Sequence, residues 1–145
     1  MEFITFLLAP IGYAGLTLAA VLAVNGRQSP LLLGTTVAII VLHVLLVWHV
    51  RYEWKFSEAT KSGLAGFALF HGALAAIVLS TVVPPHISRI LLTVAFLVVT
   101  VGALAATAEY DVVRAYRIPV ILLAVAGLLG LAYRPALSFV QRLAN

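Results

Sequence analysis

The sequence predicts an all-α fold, an integral-membrane helical bundle, and three observations lead there. The first is composition. Soluble domains are about 45–50% apolar and about 25% charged, whereas this chain of 145 residues is 63% hydrophobic and 10% charged. A core of this length cannot hide so much apolar surface from water, so lipid is the expected solvent. The second is organisation: charged and Pro/Gly-rich points divide the chain into five apolar runs close to the roughly 20 residues a membrane helix needs. The third is the absence of the polar alternation that a membrane β-barrel requires. In lipid the backbone must satisfy its own polar groups, which leaves helices as the state for these runs. A single transmembrane domain, 1–145, follows.

The first run, 3–24, closes at "NGRQSP". Its first charge is Glu2 rather than a basic cluster, so it reads as a retained helix and not a secretory signal. Pro10 falls inside it and removes one helix hydrogen bond. The second run, 31–50, ends in "RYEWKFSEATKS", where Trp48, Tyr52, Trp54 and Phe56 read as an interfacial aromatic belt. The third, 63–83, closes at "PPHISR", expected to be a tight hairpin because Pro84 and Pro85 lack amide donors. The fourth is 90–110, and the fifth, 118–133, is slightly short. Residues 134–145 either continue the fifth run or lie along the interface as an amphipathic tail. Five spans are expected, with four plus one peripheral helix as the alternative.

Small residues recur where helices are expected to meet: Gly12, Gly15 and Ala19; Ala68, Gly72 and Ala76; Gly102 and Ala106; Ala126 and Gly130. Thr93, Thr100 and Thr107 form one stripe at seven-residue spacing. Their hydroxyls either bond back to carbonyls one turn earlier or line a weakly polar path.

The net charge of +4 is scattered between apolar runs, without the basic cluster that phosphate neutralisation needs. No nucleic-acid partner is expected. With five spans, Arg51, Lys55, Lys61, Arg114 and Arg117 share a side with the N-terminus, which places that side in the cytoplasm of a multi-pass plasma-membrane protein. Cysteine is absent, excluding disulfides, thiolate metal sites and thiol catalysis. No phosphate loop, HExxH motif or Ser/His/Asp arrangement is present. No carboxylate lies at mid-membrane, against a carboxylate-driven antiporter.

Four histidines remain. His43 lies eight residues before Arg51 and His71 nine residues after Ser62, on consecutive antiparallel runs. At about 1.5 Å per residue both imidazoles reach a similar depth, roughly 12–14 Å from the shared loop. Ionisable residues inside membrane spans usually face the bundle interior and mark function, and imidazole is an axial ligand for haem iron. Gly72, with Ala68 and Ala75 one turn away, would let a macrocycle approach the backbone beside His71. His49 lies about 240° around the helix from His43 and reads, like His86, as interfacial.

In layout these paired histidines resemble the small membrane anchors and b-type cytochromes of respiratory chains. The resemblance covers the second and third runs. It implies haem b held by His43 and His71, with Gly72, Ala68 and Ala75 beside it and quinone as redox partner, within a larger membrane assembly or a homodimer. The alternatives are a structural subunit whose histidines link helices, and a small channel or carrier lined by the threonines.

Overall fold

The structure is a computed structural model. It describes the backbone of residues 2–61 and 63–144, and the side chains of these residues except 2, 3, 112 and 134–144. The described residues form helices and connections with no strand: α1 Glu2–Val24, α2 Pro30–Val50, α3 Phe56–Ala59, α4 Leu64–Leu79, α5 Pro85–Glu109, α6 Asp111–Arg114 and α7 Arg117–Ala144. Three of them, α1, α2 and α5, are long and apolar enough to cross a membrane, while α4 and the 117–133 part of α7 are shorter apolar helices. This is an all-α bundle of the membrane-protein kind.

Local chemistry sets the helix ends. α1 stops at Gly26, whose φ of 73° is left-handed; Arg27 N then donates to Leu22 O at 2.8 Å, closing the helix with a glycine. α2 starts where Ser29 Oγ accepts from Leu32 N at 3.3 Å, with Pro30 in the first turn, where its missing amide costs nothing. α4 ends at Leu79, short of the expected 83. Ser80 and Thr81 turn their hydroxyls onto Ile77 O and Val78 O at 2.6 and 2.7 Å, and hydroxyls that take helix carbonyls favour an end or bend.

"PPHISR" differs from the expected hairpin. Pro84 caps α5 and Pro85 occupies its first turn, so His86–Ile87–Ser88–Arg89 is helical and the fourth run begins five residues earlier than expected. Proline excludes helix interiors but suits first turns; the turn itself is made by residues 80–83. At the other end, α7 passes through Pro135 without a break, so the tail continues the fifth run as helix. The amphipathic character expected of 134–145 lies outside the described side chains.

α1 is the centre of the bundle. It packs against α2, α5 and α7, α4 packs on α5, and α2 meets α4 only marginally. Small residues make this possible: Ala20 is completely buried, with Ala19 and Ala23 nearly so, and the larger Leu16 is buried beside them. Gly15 receives α2 so closely that an added Cβ would lie 2.6 Å from Thr36 Oγ1. Gly127 of α7 receives the Phe96 ring, with Thr17 Cγ2 3.0 Å from where a Cβ would stand. Without a hydrophobic drive between helices in lipid, such close approach is what holds them. Gly12, Gly102 and Gly130 likewise stand against Ile40, Phe70 and Val21. Gly72 does not, since a Cβ there would meet nothing within 4 Å.

This contrast is testable. Gly127→Ala overpacks a filled contact and should destabilise by about 1–3 kcal/mol, lowering the melting temperature in detergent. Gly72→Ala should leave it unchanged or raise it slightly, because alanine is about 1 kcal/mol the better helix former. The opposite order would show that these glycines do not set the packing.

Candidate functional site

The marginal meeting of α2 and α4 leaves a chamber of about 820 Å³ between α1, α2, α4 and α5. Small-molecule sites typically occupy about 300–1,000 Å³. Leu16, Ile77 and Val99 bound its deep part, and Arg51, Tyr52 and Lys61 bound the end near the connection between α2 and α4. His43 and His71 both line it.

His43 projects from α2 toward α1, where its Nδ1 lies 2.8 Å from Thr5 O. A carbonyl only accepts, so Nδ1 carries the proton, and in a neutral ring Nε2 then carries a lone pair. The position on α1 is suited to this contact. Pro10 lacks the amide that would have bonded Phe6 O, and His43 reaches the neighbouring carbonyl of that same turn.

His71 is held the same way. Its Nδ1 lies 2.9 Å from the carbonyl of Phe67, one turn earlier on α4, and donates to it. Its Nε2 accepts from Trp48 Nε1–H of α2 at 3.2 Å. One tautomer, neutral with the proton on Nδ1, satisfies both bonds. The two rings therefore share a chamber and a tautomer, but the α2 side chain that meets His71 is Trp48, not His43.

Trp48 is the hub of an aromatic cluster. Its ring stands edge-on to Tyr52, Phe67 and His71, with centroids 6.0–6.1 Å apart, and stacks with Trp54 at 6.2 Å. Phe67 stacks on His71 at 3.9 Å. The residues read as separate belt anchors are thus joined, although Trp54 and Phe56 remain exposed, at 58% and 57%. Glu53 and Trp54 adopt φ of 48° and 60°, a left-handed conformation that is a genuine outlier for a bulky residue. It folds the chain back so that Trp54 N donates to Trp48 O at 3.0 Å. Lys55 pairs with Glu53 at 2.6 Å in the same turn, which holds the Glu53 carboxyl below its ordinary range and the Lys55 ammonium above its own.

A third polar group faces the chamber. Tyr13 Oη lies 2.8 Å from Thr100 Oγ1, and Thr100 donates its one hydrogen to Phe96 O at 2.6 Å, so Tyr13 is the donor and keeps its phenolic lone pairs. Thr93 and Thr107 also bond back, to Arg89 O and Leu104 O at 2.8 and 3.1 Å. The threonine stripe is therefore committed to its own helix, and only Thr107 lines the chamber.

Ala68, Gly72 and Ala75 are exposed and lie outside the chamber wall. Near His71 the wall is made by Gly66, Phe67, Phe70 and Leu74 instead. The reason is helical geometry: residue 72 is about 100° from residue 71, and residues 68 and 75 flank its outward face rather than that of the imidazole. His49 and His86 are exposed, in keeping with interfacial positions. Asp111 pairs with Arg114 at 3.1 Å on the surface. Trp48, expected as a belt anchor, instead meets His71, and Phe67 and Tyr13 join the site without a sequence signal that singles them out. No group of three or more His, Asp or Glu side chains able to hold a bare metal ion occurs among the described residues.

Away from the Arg51 and Lys61 end, His43 and Tyr13 offer the chamber lone pairs at Nε2 and Oη, which suits a Lewis-acidic metal or a hydrogen-bond donor. The Tyr13–Thr100 bond should be worth about 0.5–1.5 kcal/mol, read as the coupling energy of a Tyr13→Phe and Thr100→Val double-mutant cycle. A coupling of zero would mean the two hydroxyls do not bond. Compared with known proteins, the chain matches no family model, no curated protein and no solved structure.

Proposed function

We propose that this is a multi-pass membrane protein that holds haem b in its interhelical chamber through His43 and His71 and exchanges electrons with quinone, within a larger redox assembly or as a homodimer. The N-terminus and the charged end of the chamber face the cytoplasm, following the bias of Lys and Arg among the connections. The observation that carries the reading is the pair of imidazoles. They come from two different helices, line one chamber, and each fixes Nδ1–H on a backbone carbonyl. Histidines that bind metal through one nitrogen usually donate the other N–H to such a carbonyl, which sets the tautomer and raises ligand basicity.

The rest of the wall agrees with the chemistry. Leu16, Ile77 and Val99 line the deep part, and at the other end Arg51 offers a cation to a carboxylate of a ligand, beside Lys61, which pairs with Glu58 at 3.6 Å. When bound, haem supplies one-electron transfer at a potential set by its axial ligands and by its burial. The chain's own contribution is to orient two imidazoles and to exclude water around them.

A second reading rests on the same bonds. His43 ties α2 to α1 through Thr5 O, and His71 ties α4 to α2 through Trp48, which is what helix-linking histidines in a structural subunit would do. Spectroscopy separates the two. Protein purified in detergent and titrated with hemin should develop a Soret band of one haem per chain, with affinity at least about tenfold weaker in both His43→Ala and His71→Ala. A wild-type protein that stays colourless in excess hemin, with both variants merely melting lower, would establish the structural reading.

A further inference from the structure

The bond that fits least well with two free axial ligands is also the most informative. His71 Nε2 is the nitrogen a metal would take, and it is occupied by Trp48 Nε1–H at 3.2 Å. His43 Nε2 has no such protein donor on it among the described residues. The two imidazoles are thus unequal: among the described residues His71 Nε2 is covered by an indole N–H and His43 Nε2 is not.

We propose that Trp48 is a latch residue, whose indole N–H holds the lone pair of His71 and whose release makes the second imidazole available. This inference rests on the reading of the chamber as a haem site. Three observations place the latch under control of its surroundings. The Trp48–His71 bond is the polar side-chain link between α2 and α4 among the described residues, and these helices otherwise touch only marginally, so the gap can open without dismantling a packed interface. Trp54 backs Trp48 from a turn held left-handed at Glu53 and Trp54, a conformation that non-glycine residues keep only where surroundings impose it. Phe67 stacks on the opposite partner, His71, and His71 keeps its Nδ1 bond within α4. The imidazole is therefore anchored to its own helix, while the indole is anchored to α2 and its loop through Tyr52 and Trp54 and meets α4 by the edge of Phe67 as well as by the bond to His71. When the bond breaks, His71 stays oriented and Trp48 is the group that moves.

The chemistry follows from these attachments. With Trp48 latched, His43 Nε2 alone would be available to hold a haem; with Trp48 released, His71 Nε2 would be available as well.

Trp48→Phe keeps an aromatic ring in the cluster and removes the donor. Ferric hemin titrated into this variant in detergent should bind about 2- to 10-fold more tightly than into wild type, the loss of one competing hydrogen bond. It should also show a larger low-spin fraction in its visible spectrum. Both effects should vanish in the His71→Ala background, because the indole then has nothing to cover. Phe67→Leu loosens the same cluster while leaving the indole donor, and should not tighten binding. In the ligand-free protein, hydrogen exchange of the Trp48 indole N–H should accelerate in His71→Ala. Hemin binding and spin state indifferent to Trp48→Phe, or a Trp48→Phe effect that persists without His71, would overturn the latch alone. Failure of hemin to bind either wild type or Trp48→Phe would overturn the haem site itself, and the latch with it. Indole exchange unchanged by His71→Ala would overturn the latch without any ligand present.

Discussion

A polar hydrogen set among Val, Leu and Ile must find an acceptor inside the protein, because no water is there to serve as one. Leaving such a group unpaired in an apolar medium costs several kcal/mol, more than most single contacts in a bundle return. This constraint organises the interior. His43 takes Thr5 O, His71 takes Phe67 O, Thr100 takes Phe96 O, and Tyr13 takes Thr100. Each of these four donors is satisfied by a backbone carbonyl or by a hydroxyl already anchored to one; the Trp48 indole takes His71 Nε2, and among the described residues Ser88 Oγ is the buried side-chain polar atom left without a partner. Away from the Arg51 and Lys61 end, what remains on the chamber side is then lone pairs, and the chemical character of the site follows from how the donors were used.

Packing decides where that chemistry can act. α1 is rich in glycine and alanine on its buried sides, so α2, α5 and α7 approach it closely, and α5 in turn carries α4. Four helices tied in the order α2, α1, α5, α4 form an open arc, and the chamber is the space the arc encloses. Its remaining gap, between α2 and α4, is crossed by the indole of Trp48 meeting the imidazole of His71. The same side chain thus ties the gap and occupies the lone pair of His71 Nε2.

The helices were legible because uninterrupted apolar runs have one solution in lipid, and His43 and His71 stood out because ionisable groups are rare there. Gly12, Gly15, Gly102 and Gly130 were legible as contact points for the same reason that small residues bring helices together. Two kinds of feature were not. Helix ends moved where side-chain hydroxyls competed with the backbone, at Ser80 and Thr81, and where proline served as a start rather than a stop, at Pro84 and Pro85. Azimuth was the second: matched depth for two histidines says nothing of which way a neighbouring helix turns. Spacing alone did not reveal that Gly72, Ala68 and Ala75 face outward while Trp48 meets His71. Nor did composition foretell the left-handed turn at Glu53 and Trp54, since neither residue favours it; it exists because the aromatic cluster holds it.

Both chamber imidazoles place the proton on Nδ1, so that in the neutral ring Nε2 of each carries the lone pair. Nitrogen-15 NMR of histidine-labelled protein in lipid bilayers measures this directly. Both His43 and His71 should show a one-bond N–H coupling on Nδ1 and a bare Nε2. A protonated Nε2 with a bare Nδ1 on either ring would contradict it, because that ring could neither bond the backbone carbonyl it faces nor present Nε2 to a metal.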